Sequence, residues 1–251
     1  MKFCANVTLL FNELPLMERF AAAKAAGFTG VEILFPYDEP VPEMVSQLAR
    51  QNLEMALLNC PPPNYTGGAR GFAAVPGSED RFRSDYNRAL RYAKALGAQF
   101  IHVMAGSAEG DEARETFVAN LKWAAFEAPK QRLTIEPLNR KDMPGYYLSD
   151  FYLARDIVAE VAAPNLGLQF DTYHAGLIHG DVSRVWAEVK DCVTHIQLGQ
   201  TPDRSEPTQG EVDFDAFFAQ VAADGYDGWL SAECHPSMPT VDTLGWLPRA
   251  D

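Results

Sequence analysis

Three times along the chain an alanine-rich run closes at a glycine and gives way to a short run of β-forming residues. Ala22-Ala23-Lys24-Ala25-Ala26-Gly27 leads into Gly30-Val31-Glu32-Ile33-Leu34, and Ala93-Lys94-Ala95-Leu96-Gly97 into Phe100-Ile101-His102-Val103-Met104. Val221-Ala222-Ala223-Asp224-Gly225 leads into Gly228-Trp229-Leu230-Ser231-Ala232-Glu233. Glycine fits the left-handed position that closes a helix, so each unit reads as a helix stop followed by a strand. Further short apolar runs at 3–7, 54–59, 132–136, 166–171 and 193–198 complete a set of eight strand candidates. Such near-continuous apolar runs suit strands buried on both faces, as in a parallel sheet. Helical periodicity fills 13–26, 42–51, 80–96, 111–127, 149–161, 181–190 and 213–223, with a poor eighth helix after Pro239.

Alternating βα units give either a (β/α)8 barrel or a doubly wound sheet. Eight units in 251 residues match the barrel. No GxGxxG follows the first strand, which argues against a dinucleotide-binding sheet. The expected fold is therefore an α/β TIM barrel as one domain over 1–251, with a short or incomplete eighth helix. A subunit contact is one way to cover the strands that this helix would leave open, so a homo-oligomer is an expectation. The Pro- and Gly-rich stretch 61–77 follows a strand and is expected to act as a lid over the site.

Composition narrows the class. Apolar residues make up 47%, ample for a packed core. The net charge is −13, which argues against a general binder of nucleic-acid backbones. No run approaches the length of a membrane span, and the start lacks a signal peptide's apolar stretch, so a cytoplasmic address is expected. The four cysteines, Cys4, Cys60, Cys192 and Cys234, are far apart and read as thiols in a reducing compartment.

In a barrel the active site forms where the strands end. Strand five ends in Thr134-Ile135-Glu136, strand six in Gln169-Phe170-Asp171, strand seven carries His195-Ile196-Gln197, and strand eight ends in Ser231-Ala232-Glu233. Four consecutive strands thus each bring an oxygen-bearing side chain to one mouth: Glu136, Asp171, Gln197 and Glu233. Carboxylates that follow apolar residues and face one another repel and are costly to bury. A divalent cation resolves this, and an all-oxygen set suits Mg²⁺ or Mn²⁺ better than structural zinc.

Glu136-Pro137-Leu138-Asn139, Asp171-Thr172-Tyr173-His174, His195-Ile196-Gln197 and Gly210-Glu211-Val212-Asp213-Phe214 together resemble the xylose-isomerase-like sugar isomerases and epimerases. Phe3-Cys4-Ala5-Asn6, Phe35-Pro36-Tyr37-Asp38, Arg70-Gly71-Phe72-Ala73 and Gln197 are similar to the hydroxypyruvate isomerase and 2-oxo-tetronate isomerase subgroup. The resemblance implies a metal-dependent barrel that interconverts an α-hydroxy aldehyde and an α-hydroxy ketone. Glu136 and Glu233 would be ligands and the acid/base pair, with Asp171 and Gln197 completing the metal site. The substrate would be a small hydroxy-carbonyl acid such as hydroxypyruvate, giving tartronate semialdehyde.

Around that centre the resemblance puts His174 against a substrate oxygen and Asp142 near the substrate. Arg204 and Arg70 compete to recognise a substrate carboxylate, since Arg suits bidentate binding of that group. Asn6 and Asn59 end the first and third strands and are expected to line the pocket. Glu32 and His102 read as buried hydrogen-bonded groups, His195 as a buried core histidine, and Cys234 as a packing thiol. Competing functions are a ketose 3-epimerase, an isomerase of longer 2-oxo acids, a dehydratase of cyclic polyols, and a barrel that binds a sugar acid without turnover. The superfamily's DNA-repair endonucleases need many His ligands, whereas only five His occur here, spread along the chain.

Overall fold

The computed structural model describes residues 1–60 and 70–248, so residues 61–69 of the expected lid lie outside the described residues. Among the described residues, eight parallel strands close into a barrel in sequence order. They are β1 (Lys2–Asn6), β2 (Gly30–Ile33), β3 (Glu54–Asn59), β4 (Phe100–His102), β5 (Arg132–Ile135), β6 (Leu166–Asp171), β7 (Val193–Leu198) and β8 (Trp229–Ala232). The helices α1 (Leu16–Ala25), α2 (Val41–Gln51), α3 (Glu79–Leu96), α4 (Gly110–Glu127) and α5 (Phe151–Val161) each follow the strand of the same number. Two helices, α6 (Thr172–His179) and α7 (Val182–Val189), lie between β6 and β7, and α8 (Phe214–Ala223) lies between β7 and β8.

The strand runs are apolar on both faces because two separate cores exist. One large cluster fills the space between barrel and helices, with Phe170, Trp186 and Phe217 packed ring against ring. A smaller cluster, Cys4, Ala56, Leu57, Phe100 and Trp229, packs by itself. Trp229 crowds β2 so closely that a Cβ on Gly30 would sit 2.8 Å from its ring, which explains a glycine inside that strand. Period two then sets what the strands offer at their far ends: Gln169 and Asp171 share a face of β6, and His195 and Gln197 a face of β7.

Helix ends follow the expected chemistry. Asp150, Asp181 and Asp213 each accept a hydrogen bond from a first-turn N–H of α5, α7 and α8. Gly97 closes α3 at φ +66°.

One expectation needs correction. Thr172–His179 forms a helix of its own, where the sequence suggested only a strand end. Tyr, His and Gly are poor helix formers, so periodicity hides it. What starts it is Asp171, whose carboxylate accepts from the Tyr173 N–H at 2.8 Å. The eighth helix is short, as expected, a 3-10 segment over Thr240–Trp246. Trp246 stacks on Phe218 and meets Phe3 edge-on, while Glu13 accepts from the Thr240 N–H at 3.0 Å. The chain itself thus covers this side, and every residue of β8 is buried without a second copy.

No described helix is long and apolar enough to cross a membrane. Replacing Trp246 with Ala removes the ring that closes the barrel flank and is expected to cost about 2–3 kcal/mol. Urea unfolding of wild type and W246A measures it, and an unchanged midpoint would show that the 3-10 segment is not part of the core.

Candidate active site

Glu136, Asp171 and Glu233 converge at the mouth where β5, β6 and β8 end, each at most 5% exposed. A cavity of about 270 Å³ opens above them, lined among others by Asn59, Arg70, His102, Glu136, Asp142, His174, Arg204 and Glu233. Leu9, Leu34, Phe35, Met104, Leu138 and Met143 form its apolar wall. This volume lies below the range usual for drug-sized ligands and suits a small metabolite.

Each glutamate has one oxygen anchored and one bare. Glu136 Oε2 accepts from Gln169 Nε2 at 2.8 Å and faces His102 Nδ1 at 3.3 Å. Glu233 Oε1 accepts from Arg204 Nη2 at 2.6 Å. Glu136 Oε1 and Glu233 Oε2 are buried and have no hydrogen-bond partner. Unpartnered buried carboxylate oxygens are costly, and two at one mouth mark a place built to receive a cation or substrate atoms.

Positive charge comes from Arg204, on the loop after β7. Its Nη2 bridges Asp171 Oδ2 at 2.7 Å and Glu233 Oε1 at 2.6 Å, and its guanidinium lies 5.0 Å over the Tyr173 ring. The residue adopts φ +58°, an uncommon conformation for a long side chain, held by its N–H donating to the Gln200 carbonyl. Burial alone would lower its pKa, but Glu233, Asp171 and Glu136 raise it. Burial pushes Glu136 well above the usual carboxylate range, reinforced by the charges of Glu233 and Asp171. Burial also pushes Glu233 well up, with Arg204 opposing.

Glu136, Asp171 and His174 offer three potential ligand atoms within 4.8 Å of one another. His174, however, enters as a donor. The Asn139 backbone N–H, which can only donate, points at its Nδ1 at 3.1 Å. In the neutral imidazole the proton therefore sits on Nε2, which faces Asp171 at 3.7 Å and Glu136 at 3.9 Å. Two bare carboxylate oxygens, Glu136 Oε1 and Glu233 Oε2, are left at this mouth, while the Gln197 carbonyl oxygen is taken up by Gln169 Nε2.

The other expected residues divide. Asn59 lines the cavity, and Asp142 does so while accepting from the Tyr173 hydroxyl at 2.6 Å and from Asn139 Nδ2 at 3.0 Å. Burial alone would raise Asp142, but those two bonds lower it. Arg70 stands at the rim, its guanidinium 5.9 Å from the Phe35 ring centre and with no ion pair among the described residues. Its neighbour Gly71 pairs with Ala105 at φ +92°, where a Cβ would lie 2.2 Å from the Met104 carbonyl oxygen. Asn6 is a correction. It does not line the cavity, because its side chain turns inward to donate to Glu32 at 2.9 Å and accept from the Thr8 N–H at 3.0 Å. Gln197 is wholly buried, its amide held between Gln169 and Glu32. Glu32 and His102 are buried and hydrogen-bonded as read from the sequence, and His195, read as a core histidine, is buried with its Nε2 against Glu32.

Comparison with known proteins fits this geometry. A family model described as "Xylose isomerase-like TIM barrel" matches residues 20–250. The chain is 42% identical to the 2-oxo-tetronate isomerase of Cupriavidus necator, over 98% of this chain and 97% of that one. It is 35% identical to the hydroxypyruvate isomerase of Escherichia coli, over 98% of each.

The chain belongs to the xylose isomerase-like TIM barrel family.

Within it, relatives this similar over their full length make it an isomerase of the hydroxypyruvate and 2-oxo-tetronate isomerase group. A solved structure from Brucella melitensis, titled as an AP endonuclease of family 2, superposes with a TM-score of 0.94 at 39% identity. It covers 98% of this chain and 97% of that one.

Sequence reasoning missed Gln169, Asn139 and Tyr173 in this isomerase. Gln169 was within reach, since it precedes Asp171 by two on one strand and must share its face. Asn139 and Tyr173 act through loop and helix geometry that no period reveals.

Burial holds two of the three histidines that line the cavity neutral, His102 down at about 3 and His174 well below its ordinary value. The unfolded chain protonates His102 near the ordinary value of 6.5, so it binds more protons than the folded state as pH falls from there to about 3. The contribution of His102 to stability therefore falls as pH falls through that window. By NMR, its ring resonance, assigned with H102Q, is expected to stay fixed between about pH 8 and 5. A midpoint inside that range would show the site to be wetter than described.

Proposed function

We propose that this isomerase interconverts hydroxypyruvate and tartronate semialdehyde, or a closely related 2-oxo acid, by proton transfer through an enediolate with a bound divalent metal. The observation that carries the reading is the pair of buried, unpartnered oxygens, Glu136 Oε1 and Glu233 Oε2, at one mouth. A proton leaves the hydroxymethyl carbon to one of these carboxylates, and the electron pair passes into the enediolate. The adjacent carbonyl carbon then takes a proton from the other, while the hydroxyl proton passes from the first carbon's oxygen to the former carbonyl oxygen, which leaves an aldehyde beside a new hydroxyl. Burial raises both carboxyls, which makes them more basic than a solvated glutamate and better matched to carbon acid chemistry. His174, with its proton on Nε2, donates to a substrate oxygen.

The metal set is Glu136, Asp171, Gln197 and Glu233, all oxygen donors, which favours Mg²⁺ or Mn²⁺. What a bound divalent ion supplies is positive charge against the oxygen that turns anionic as the proton leaves.

Substrate recognition falls to Arg70, Arg204, Asp142, Asn59 and His174. Arg204 already serves two carboxylates, so Arg70, with no ion pair among the described residues, takes the substrate carboxylate. Asn6 acts from below the pocket and not as a contact. The 2-oxo-tetronate reading is favoured by the 42% identity to the relative of that name, and differs from the first by one carbon. A net charge of −13 and five His fit neither a DNA surface nor a multi-zinc centre.

The test is turnover of hydroxypyruvate and 2-oxo-tetronate by metal-stripped protein given back Mg²⁺ or Mn²⁺. Expected is metal-dependent turnover, reduced about 10²–10⁴-fold in E136Q and in E233Q. Turnover that survives either substitution would reject the acid/base pair. R70M is expected to raise KM about 10–100-fold with a smaller change in kcat, because it removes a charge-assisted bond. An unchanged KM would return the carboxylate to Arg204.

A further inference from the structure

Below the mouth, the barrel carries a chain of hydrogen bonds whose direction is fixed by the Thr8 N–H at one end and by the acceptor carboxylates of Glu32 and Glu136 along it. The Thr8 N–H can only donate, and it donates to Asn6 Oδ1 at 3.0 Å. Asn6 must then present Nδ2, which donates to Glu32 Oε1 at 2.9 Å. That same oxygen accepts Gln197 Nε2 at 2.8 Å, so the Gln197 amide is turned with its carbonyl oxygen away from Glu32. Gln197 Oε1 in turn accepts from Gln169 Nε2 at 2.7 Å. The second hydrogen of Gln169 goes to Glu136 Oε2 at 2.8 Å, and its own oxygen accepts the Thr134 hydroxyl at 2.9 Å. A flipped Gln169 would set oxygen against oxygen at both Glu136 and Gln197. The chain therefore admits one orientation of each amide.

Two irregularities in the sheet put these groups there. The β2–β3 register shifts between Val31 and Ile33, around Glu32, and the β6–β7 register shifts between Leu168 and Gln169. A bulge re-aims a side chain at the cost of a ladder bond, and these two sit at residues of the same polar chain.

We propose that Gln169 is a positioning residue, which aims both Glu136 and Gln197 by giving one amide hydrogen to each. It decides that Glu136 Oε1 is the bare oxygen and, together with Glu32, holds the Gln197 amide in one orientation with its carbonyl oxygen turned away from Glu32. The inference rests on the reading of Glu136 as a proton-transfer and metal-binding group.

Gln169→Met keeps the volume and removes both donors. Expected is a loss in kcat of about 100-fold with KM within about threefold, since misaimed groups lose the reaction more than the binding. The dissociation constant for Mn²⁺, measured by calorimetry without substrate, should rise about 10-fold. Far-UV circular dichroism and cooperative melting serve as the folding control. Thr134→Val, which frees the Gln169 amide but deletes no contact to Glu136, should lose about 10-fold in kcat, and Thr134→Ser should restore it.

A folded Q169M with kcat and Mn²⁺ affinity near wild type overturns the proposal, as does a loss confined to KM. Should Q169M fail to fold, T134V with wild-type kcat and affinity overturns it instead. A wild type that binds Mn²⁺ but turns over neither acid, with weakened binding in Q169M, keeps the positioning role and rejects the substrate. A wild type that does neither rejects both.

Discussion

Three carboxylates are buried at one end of this barrel, and each needs hydrogen-bond donors or positive charge to remain there. Arg204 supplies the charge, one guanidinium nitrogen within 2.7 Å of both Asp171 and Glu233. Much of the local structure follows from placing that group. The loop after β7 takes a left-handed turn at Arg204, and Tyr173 on α6 lies under the guanidinium. Asp171 completes the arrangement by starting α6 with its other oxygen. A salt bridge of this kind contributes little net stability once desolvation is counted. Its effect is to hold acidic groups close together that would otherwise separate or take up protons.

The barrel interior is graded for the same reason. Cys4, Leu57, Phe100 and Trp229 pack as an apolar cluster within it. The polar chain through Asn6, Glu32, Gln197 and Gln169 lies beneath the carboxylates. At the mouth two carboxylate oxygens stay bare. The amides of Asn6, Gln197 and Gln169 are satisfied within the polar chain, whereas Glu136 Oε1 and Glu233 Oε2 at the mouth are not. Satisfied buried networks are rigid, and rigidity under a site is what keeps reacting groups in register.

The site's histidines show how a backbone contact can set a chemical role. His174 brings a potential ligand atom within 4.8 Å of those of Glu136 and Asp171. The Asn139 N–H takes up its Nδ1 lone pair, and this turns a candidate ligand into a donor. Asn139 also binds Asp142, which in turn binds Tyr173, so the loop after β5 and helix α6 fix one another. Residues that touch nothing reactive thus determine what the reactive ones can do.

The sequence alone determined the barrel, because short apolar strands alternating with glycine-closed helices have few ways to bury both faces. It also placed Glu136, Asp171 and Glu233 at the ends of buried strands, since period two and strand ends locate them, whereas Gln197 lies deeper, held between Gln169 and Glu32. Asn6 was placed at a strand end and misread as pocket lining, because the direction its amide takes depends on Glu32, 26 residues away. Helix α6 was hidden, because its start comes from an Asp171 carboxylate that periodicity does not weigh. The tertiary structure alone decided hydrogen-bond direction: the donor state of His174, the commitment of Arg204, and the bare oxygen of each glutamate. Those depend on partners brought together by the closure of the barrel, and a linear pattern carries no record of which atom of a side chain meets which neighbour.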